Sequence, residues 1–358
     1  MKTYCKNLVI TEQMVDRAIG GWLSGTAGKK NGWRIDAEHH GRDALVRNIT
    51  SEIRGRCLRF KPIMRHERRE PTNGKLRIIC VESVKQQVCD YLAVDCLEKL
   101  LHAKIGYYQV GASRGKGGIF AKDAIRKWVH QGGYFIKSDI HKCYPSIKHD
   151  LVMRLLKKYV RSGDVLYLAE SLLKTHGDGL DIGSYFSLKM SCLVISEAYH
   201  YIEGLTKERR GAQKSLIEHQ IWNMDDCLFI SHDKRDLKMA VRRLEKYMHD
   251  ELGLTLKPWK VSMISESEPI DMCGFRIFPD KVKLRRRLFI AGTRSFARFE
   301  RSRTVRRARR CCSYWGYFKH SNMEDVRKAR GIDRTQAKAR HCISNYDKMG
   351  VTKNDQKC

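Results

Sequence analysis

The sequence predicts an α/β fold of the α+β kind, built on a short antiparallel sheet whose strand ends carry aspartates. Three observations predict it. An apolar run within residues 133–147 (GYFIKSDIHKCYPSI) reads as a strand ending at Asp139. Residues 221–230 (IWNMDDCLFI) read as two short strands of a tight hairpin with Met224, Asp225 and Asp226 at the turn. Residues 84–101 place Val84, Val88, Leu92 and Cys96 at the spacing of the buried side of an amphipathic helix. At 358 residues and 42% hydrophobic, the chain can bury a real core, as one multi-lobed domain or two modest ones.

A formal charge of +30, from 70 Lys and Arg against 40 Asp and Glu, exceeds what solubility needs and points to a polyanion held through its phosphates. The basic residues are spread through a folded-looking sequence and are not gathered on one amphipathic helix, which favours nucleic acid over a membrane surface. No apolar stretch is long enough to span a bilayer, and residues 1–6 (MKTYCK) hold no signal-peptide core, so a cytoplasmic protein with no membrane partner is expected. The 13 cysteines are scattered without a C-x-x-C pair and are expected to be reduced thiols. Adjacent Cys311 and Cys312 lack partners at zinc spacing and read as small, buried or half-buried side chains.

Taken in order, residues 11–25 and 43–58 show helical periodicity, and the Gly- and Lys-rich stretch 25–32 between them reads as a loop. Residues 65–81 read as a hairpin turning at Asn73-Gly74, which would present Lys75 and Arg77 on one face, a geometry for gripping a triphosphate. A solvated edge strand charged against aggregation explains the same residues. The glycine-rich stretch 109–118 (QVGASRGKGG) could set its amides, Arg114 and Lys116 against phosphates, or be a flexible loop; it lacks the Walker order. Tyr144 follows Asp139 by five positions, and a helix starts near residue 149 with Ser146 and Asp150 placed to cap it.

Aspartates are common in turns, so Asp225-Asp226 alone proves nothing. The combination is informative. Two divalent ions about 3.5–4 Å apart can activate a primer hydroxyl and stabilise leaving pyrophosphate, and hard Mg²⁺ needs carboxylate oxygens converging from separate elements. One aspartate on a strand and a pair on an adjacent hairpin supply them.

From about residue 61 to 320 the order of motifs resembles the reverse transcriptase family. Residues 74–79 (GKLRII) resemble the fingers segment whose basic residues, here Lys75 and Arg77, hold the incoming triphosphate. Asp139 with Tyr144 matches the first catalytic motif, an aspartate plus the aromatic gate against a ribose 2′-hydroxyl, and Asp225-Asp226 matches the second. Residues 179–187 (GLDIGSYFS) are similar to the G-[LI]-P-Q-G-x-x-x-S element beside the template base and nucleotide, where Ile182 and Gly183 would lie. Residues 252–260 (LGLTLKPWK) resemble the motif whose lysine protonates pyrophosphate, a role assigned to Lys260 over Lys257, and residues 272–278 (MCGFRIF) resemble the primer grip, with Gly274 and Phe275. The resemblance implies a right hand: mixed fingers, a ferredoxin-like palm with an antiparallel sheet, and a helical basic thumb. It divides the chain into an N-terminal helical region (1–60), fingers and palm (61–278), and a basic thumb with a tail (279–358).

It also implies RNA-templated DNA synthesis with two Mg²⁺ ions (Mn²⁺ as a substitute) held by Asp139, Asp225, Asp226 and the Ile140 carbonyl. The partners implied are template RNA, cDNA or primer and dNTPs, with room for a structured non-coding RNA and a basic accessory protein. Beyond residue 278 the runs 281–287 (KVKLRRR) and 301–310 (RSRTVRRARR) contain no acid, and Arg285, Arg286, Arg287, Arg306 and Arg307 are expected on phosphate. The interleaved Phe289, Phe296, Phe299, Tyr314, Trp315, Tyr317 and Phe318 are expected in a thumb core.

The chain departs from the family pattern at Asn223, where an aromatic residue or alanine is usual, at Asp181, where proline is usual, and at Ile182, where glutamine is usual. Ile182, the short length and residues 313–321 (SYWGYFKHS) are similar to diversity-generating retroelement enzymes, which copy a template repeat with errors at adenines; Ser187-Leu188 departs from the Ser-Gln of that group. An anti-phage defence or retron-like enzyme is the alternative, although the Asn-Ala-x-x-His and Val-Thr-Gly retron signatures are missing. The rival of another class is a non-catalytic RNA-binding splicing cofactor; three clustered carboxylates would repel one another there to no purpose.

Overall fold

The computed structural model describes residues 2–69, 74, 76–111 and 113–348. The N-terminal region is helical: α1 (Glu12–Ser24), α2 (Thr26–Asn31), α3 (Arg34–His39) and α4 (Arg42–Arg54). A two-stranded antiparallel hairpin, β1 (Met64–Arg69) and β2 (Leu76–Val81), leads into the long helix α5 (Val84–Lys104), and α6 (Gly118–Val129) follows. The central part comprises β3 (Tyr134–Asp139), α7 (Cys143–Ser146), α8 (His149–Tyr159), α9 (Gly163–Leu173) and α10 (Tyr185–Glu203). After the small hairpin β4 (Thr206–Arg209) and β5 (Ala212–Ser215) come β6 (His219–Asn223), β7 (Asp226–Ser231), α11 (Lys234–Leu252) and β8 (Val261–Met263). A three-stranded sheet, β9 (Ile270–Met272), β10 (Phe275–Ile277) and β11 (Val282–Leu284), precedes the helices α12 (Arg286–Arg301), α13 (Val305–Lys319), α14 (Glu324–Ala329) and α15 (Ile332–Lys348).

The four strands β6-β7-β3-β8 lie in that order, all antiparallel. In chain order they are strands two, three, one and four, with helices between the first and second and between the third and fourth. That is the split βαβ order of a ferredoxin-like palm. Both faces of the sheet are covered, which is why CLFI in β7 is a continuous apolar run and does not alternate. Ile136, Trp222, Cys227 and Phe229 face a core shared with α5, α10 and α11. Phe135, Ile221, Leu228 and Ile230 face a second core built with α6, β9–β11, α12, α13 and α15. Phe296, Phe299, Phe318 and Cys311 are buried in that second core, with Phe289, Tyr314, Trp315 and Tyr317 packed against it.

Several sequence expectations change. The stretch 25–32 contains the helix α2, because its glycine serves packing: a Cβ on the buried Gly28 would lie 2.1 Å from the Trp22 carbonyl oxygen. Helix α5 is buried on nearly every side, not one, because α1, α9 and α10 all pack on it. Ser146 and Asp150 do not cap α8; its N-cap is Lys148, and Ser146 Oγ donates to the His141 carbonyl. A boundary at 278 cuts the β9–β11 sheet, since β11 pairs with β10. Of the turn between β1 and β2, only Gly74 is among the described residues, so Asn73 and Lys75 lie outside them.

Candidate active site

Three aspartates meet at one end of the palm sheet. Strand pairing ends with Asp139 opposite Asp226, and Asp226 opposite Asn223, so these three share one face. The hairpin turn is therefore Met224-Asp225, with Met224 at φ +59°, and Asp226 is the first residue of β7 and not part of the turn. The turn is tied to the end of β3 by Ile140 N, which donates to the Asp225 carbonyl at 2.9 Å. In an antiparallel ladder N–H and C=O of one residue point the same way, so the Ile140 carbonyl also faces the Asp225 side. Burial, reinforced by Asp139, holds the Asp225 carboxyl above the usual carboxylate range, and Arg77 and Lys257 act against it. Burial likewise raises Asp226. Arg77, on β2, is thus close enough to Asp225 to act on it electrostatically.

Two lysines neutralise the cluster. Lys257 Nζ is ion-paired with Asp139 Oδ1, and its backbone N donates to the Asp139 carbonyl at 2.8 Å. Lys137 Nζ lies 2.5 Å from Asp226 Oδ1. Lys260, chosen from the sequence for the pyrophosphate role, is turned away: its ammonium pairs with Glu268 at 3.1 Å and its side chain is 80% exposed. The physical reason is the bridge between Ile140 and Leu256, which aligns residue 257, and not 260, with the end of β3. Lys137 was missed altogether, although its position two residues before Asp139 on a strand puts both on one face.

The neighbouring loops fix this end of the sheet. Tyr108 O accepts from Trp222 N at 2.9 Å and Val110 N donates to Trp222 O at 2.8 Å, so residues 108–110 add an edge to β6. A Cβ on Gly111 would fall 2.6 Å from Met224 N. The glycine-rich stretch thus buttresses the Met224-Asp225 turn. Its Lys116 is not offered to phosphate: the ammonium donates to the Tyr107 carbonyl at 2.5 Å and sits 3.7 Å from the Tyr107 ring centroid. Arg114 remains exposed on the same loop.

On the other flank, Tyr144 is half-buried and its carbonyl accepts from Leu180 N at 3.0 Å, tying the first aspartate motif to residues 179–187. Burial raises its phenol. Ser184 caps α10, and the buried Asp90 accepts from Ser184 Oγ at 2.7 Å and from Phe186 N at 2.9 Å. Ile182 is half-buried, and its carbonyl accepts from Cys80 N at 2.7 Å. Gly183 has φ +124°, and a Cβ there would lie 2.3 Å from the Cys80 carbonyl oxygen. Gly183→Ala is therefore expected to destabilise the fold by about 2 kcal/mol or more, as chemical denaturation would show.

The turn between β9 and β10 is Cys273-Gly274, with φ +52° and +87°. It borders a cavity of about 670 Å³ whose lining includes Asp226, Asn223 and Asp271 together with Arg276, Arg285, Arg286 and Arg287. Arg285 pairs with Asp271, and its N donates to the Gly274 carbonyl at 3.0 Å. Phe275 is buried beneath the turn at 1% exposure, as an anchor and not a contact surface. Arg306 and Arg307 are not part of this cavity; they line a separate one of about 240 Å³ with Ser295, Arg298 and Arg310.

Residues 66–277 match the family described as reverse transcriptase (RNA-dependent DNA polymerase). Among curated proteins, the putative COX1/OXI3 intron 2 protein of Saccharomyces cerevisiae is 21% identical over 131 residues, 37% of this chain and 15% of that protein. The intron 1 protein of the same yeast is 22% identical over 129 residues, 36% of this chain and 15% of that protein. Among solved structures, apo telomerase from Candida tropicalis, truncated from its C-terminal domain, aligns at 13% identity and a TM-score of 0.43, covering 63% of this chain and 54% of its own. Telomerase from Candida albicans, in complex with a TWJ fragment of telomeric RNA, aligns at 13% identity and 0.46, covering 69% and 50%. The chain thus spans a small part of the yeast proteins and about half of each telomerase chain. Among the described residues no helix is long and apolar enough to cross a membrane. Because the family match spans residues 66–277 of 358, the chain belongs to the reverse transcriptase family.

Proposed function

We propose that this chain is an RNA-directed DNA polymerase that extends a primer along an RNA template from dNTPs. The observation that carries the reading is the pairing of Asp139 with Asp226, with Asp225 on the adjoining turn, at the edge of an arginine-walled cavity. The converging donors are carboxylate oxygens, a hard set that suits Mg²⁺, with Mn²⁺ as a substitute. Asp139, Asp225, Asp226 and the Ile140 carbonyl would hold two such ions, whose chemistry is Lewis-acid activation of the attacking hydroxyl and neutralisation of the leaving charge.

The chain's own residues position the reactants. Arg77, with Lys75, holds the triphosphate; Lys257, against Asp139, is the group placed to protonate pyrophosphate. Gly274, above Phe275, guides the primer end, while Arg285, Arg286 and Arg287 line its path. Arg114, Arg306 and Arg307 extend the phosphate-binding surface. Primer extension on an RNA template, with Asp225→Asn as the control, tests the assignment. Tyr144 walls the sugar position: Tyr144→Ala is expected to raise incorporation of ribonucleotides relative to deoxyribonucleotides about tenfold or more, measured as the ratio of their kcat/KM values. Unchanged exclusion would refute the gate.

Within the family, we read the chain as the error-prone enzyme of a diversity-generating retroelement, with an anti-phage defence or retron-like enzyme as the alternative. The support is Ile182, an apolar residue where the family has glutamine. Ile182→Gln is expected to lower the error rate at template adenines several-fold in sequenced cDNA, and identical spectra would count against the retroelement reading.

A further inference from the structure

A second group of metal-ligating side chains lies behind the 179–187 element, apart from Asp139, Asp225 and Asp226. Cys80 on β2, His176 just after α9, and Asp181 each offer one ligand atom, and these atoms lie within 4.8 Å of one another. Cys80 is 4% and His176 8% exposed, and Asp181 is half-buried. His176 Nδ1 lies 3.2 Å from Asp181 Oδ2, and its Nε2 lies 4.0 Å from Oε1 of the buried Glu82. Arg65 on β1 reaches the same Asp181 oxygen at 2.7 Å.

The backbone docks these pieces together independently of the side chains. Cys80 N donates to the Ile182 carbonyl at 2.7 Å, and the contact is close enough that only glycine fits at residue 183. Zinc bonds of about 2.0–2.3 Å put tetrahedral ligand atoms roughly 3.3–3.7 Å apart, so side-chain adjustments of about 1 Å would close the group on an ion.

We propose that Cys80, His176 through Nδ1, and Asp181, with a water in the fourth position, form a zinc-class site that clamps the β1–β2 hairpin to the 179–187 element. The donor set argues for the metal. A thiolate and an imidazole are ligands for zinc and its neighbours, whereas Mg²⁺ takes oxygen, so this site and the aspartate cluster select different ions. A thiolate and a carboxylate carry two negative charges, which one divalent cation neutralises in a setting where an unpaired thiolate would be unstable. Arg65 orients Asp181 from the outer side, as groups behind metal-bound carboxylates do. The site also gives a role to Asp181, which stands where the resembled family carries proline.

The test is metal analysis of the full chain purified without chelators and dialysed against metal-free buffer, followed by Co²⁺ substitution. About one zinc per chain is expected, and Co²⁺ should give a thiolate-to-cobalt charge-transfer band with tetrahedral ligand-field bands. The charge-transfer band should vanish in Cys80→Ser, weaken with at least about tenfold lower Co²⁺ affinity in His176→Gln, and persist in Asp225→Asn. A wild-type chain with no zinc and no thiolate band overturns the proposal, as does a band unchanged in Cys80→Ser. The first readout is made on the wild-type protein, so a misfolded variant cannot imitate failure.

Discussion

Asp225→Asn is expected to lower primer extension on an RNA template in Mg²⁺ by about 10³-fold or more, while raising the melting temperature when divalent ions are chelated. The loss follows from removing a charged oxygen donor where positioning and charge stabilisation supply nearly all of the catalysis. The gain follows from the raised carboxyl of Asp225, caused by burial and by Asp139. A carboxyl whose folded pKa lies above its unfolded value penalises folding at neutral pH, and the penalty disappears as pH falls through the folded value. The variant lacks that penalty, so its advantage over wild type should be largest near neutral pH and shrink on acidification. Undiminished extension by Asp225→Asn would remove Asp225 from the site. A wild-type chain that binds RNA yet extends no primer would make it a scaffold.

Lys257→Ala should lower kcat by about 10²- to 10³-fold, whereas Lys260→Ala should change it less than about twofold. Lys257 holds Asp139 through both side chain and backbone, and Lys260 is occupied by Glu268 on the surface. Single-nucleotide incorporation measured under saturating dNTP separates the two. Lys257→Arg sharpens the test, because arginine keeps the charge but does not release a proton in this pH range. It should remain slow. Full rate in Lys257→Arg would reduce Lys257 to a counter-charge, and a slow Lys260→Ala enzyme would restore the assignment made from sequence.

The choice between those lysines marks what can be read along the chain. Both lie within four residues in LKPWK, and only the tertiary bridge from Ile140 to Leu256 decides which faces Asp139. By contrast, the strand ending at Asp139 and the hairpin carrying Asp225 and Asp226 follow from local apolar patterning and a two-residue turn. The ferredoxin-like order was an inference from resemblance, and the structure bears it out in the sheet β6-β7-β3-β8. Glycines misled where their purpose was contact: Gly28 and Gly111 read as loop residues, yet each permits an approach that any side chain would block.

The sequence by itself thus determined the strong basic charge, the mixed fold and the positions of the three acids, because charge, periodicity and turn chemistry act over a few neighbouring residues. The tertiary structure alone decided that Asp226 faces Asp139, that Lys137 and Lys257 neutralise the pair, and that Lys116 is held by Tyr107. It alone brought Cys80, His176 and Asp181 together. Apart from Lys116 with Tyr107 and His176 with Asp181, which are near in sequence, those contacts join residues far apart along the chain, and strand register and the packing of two cores set them.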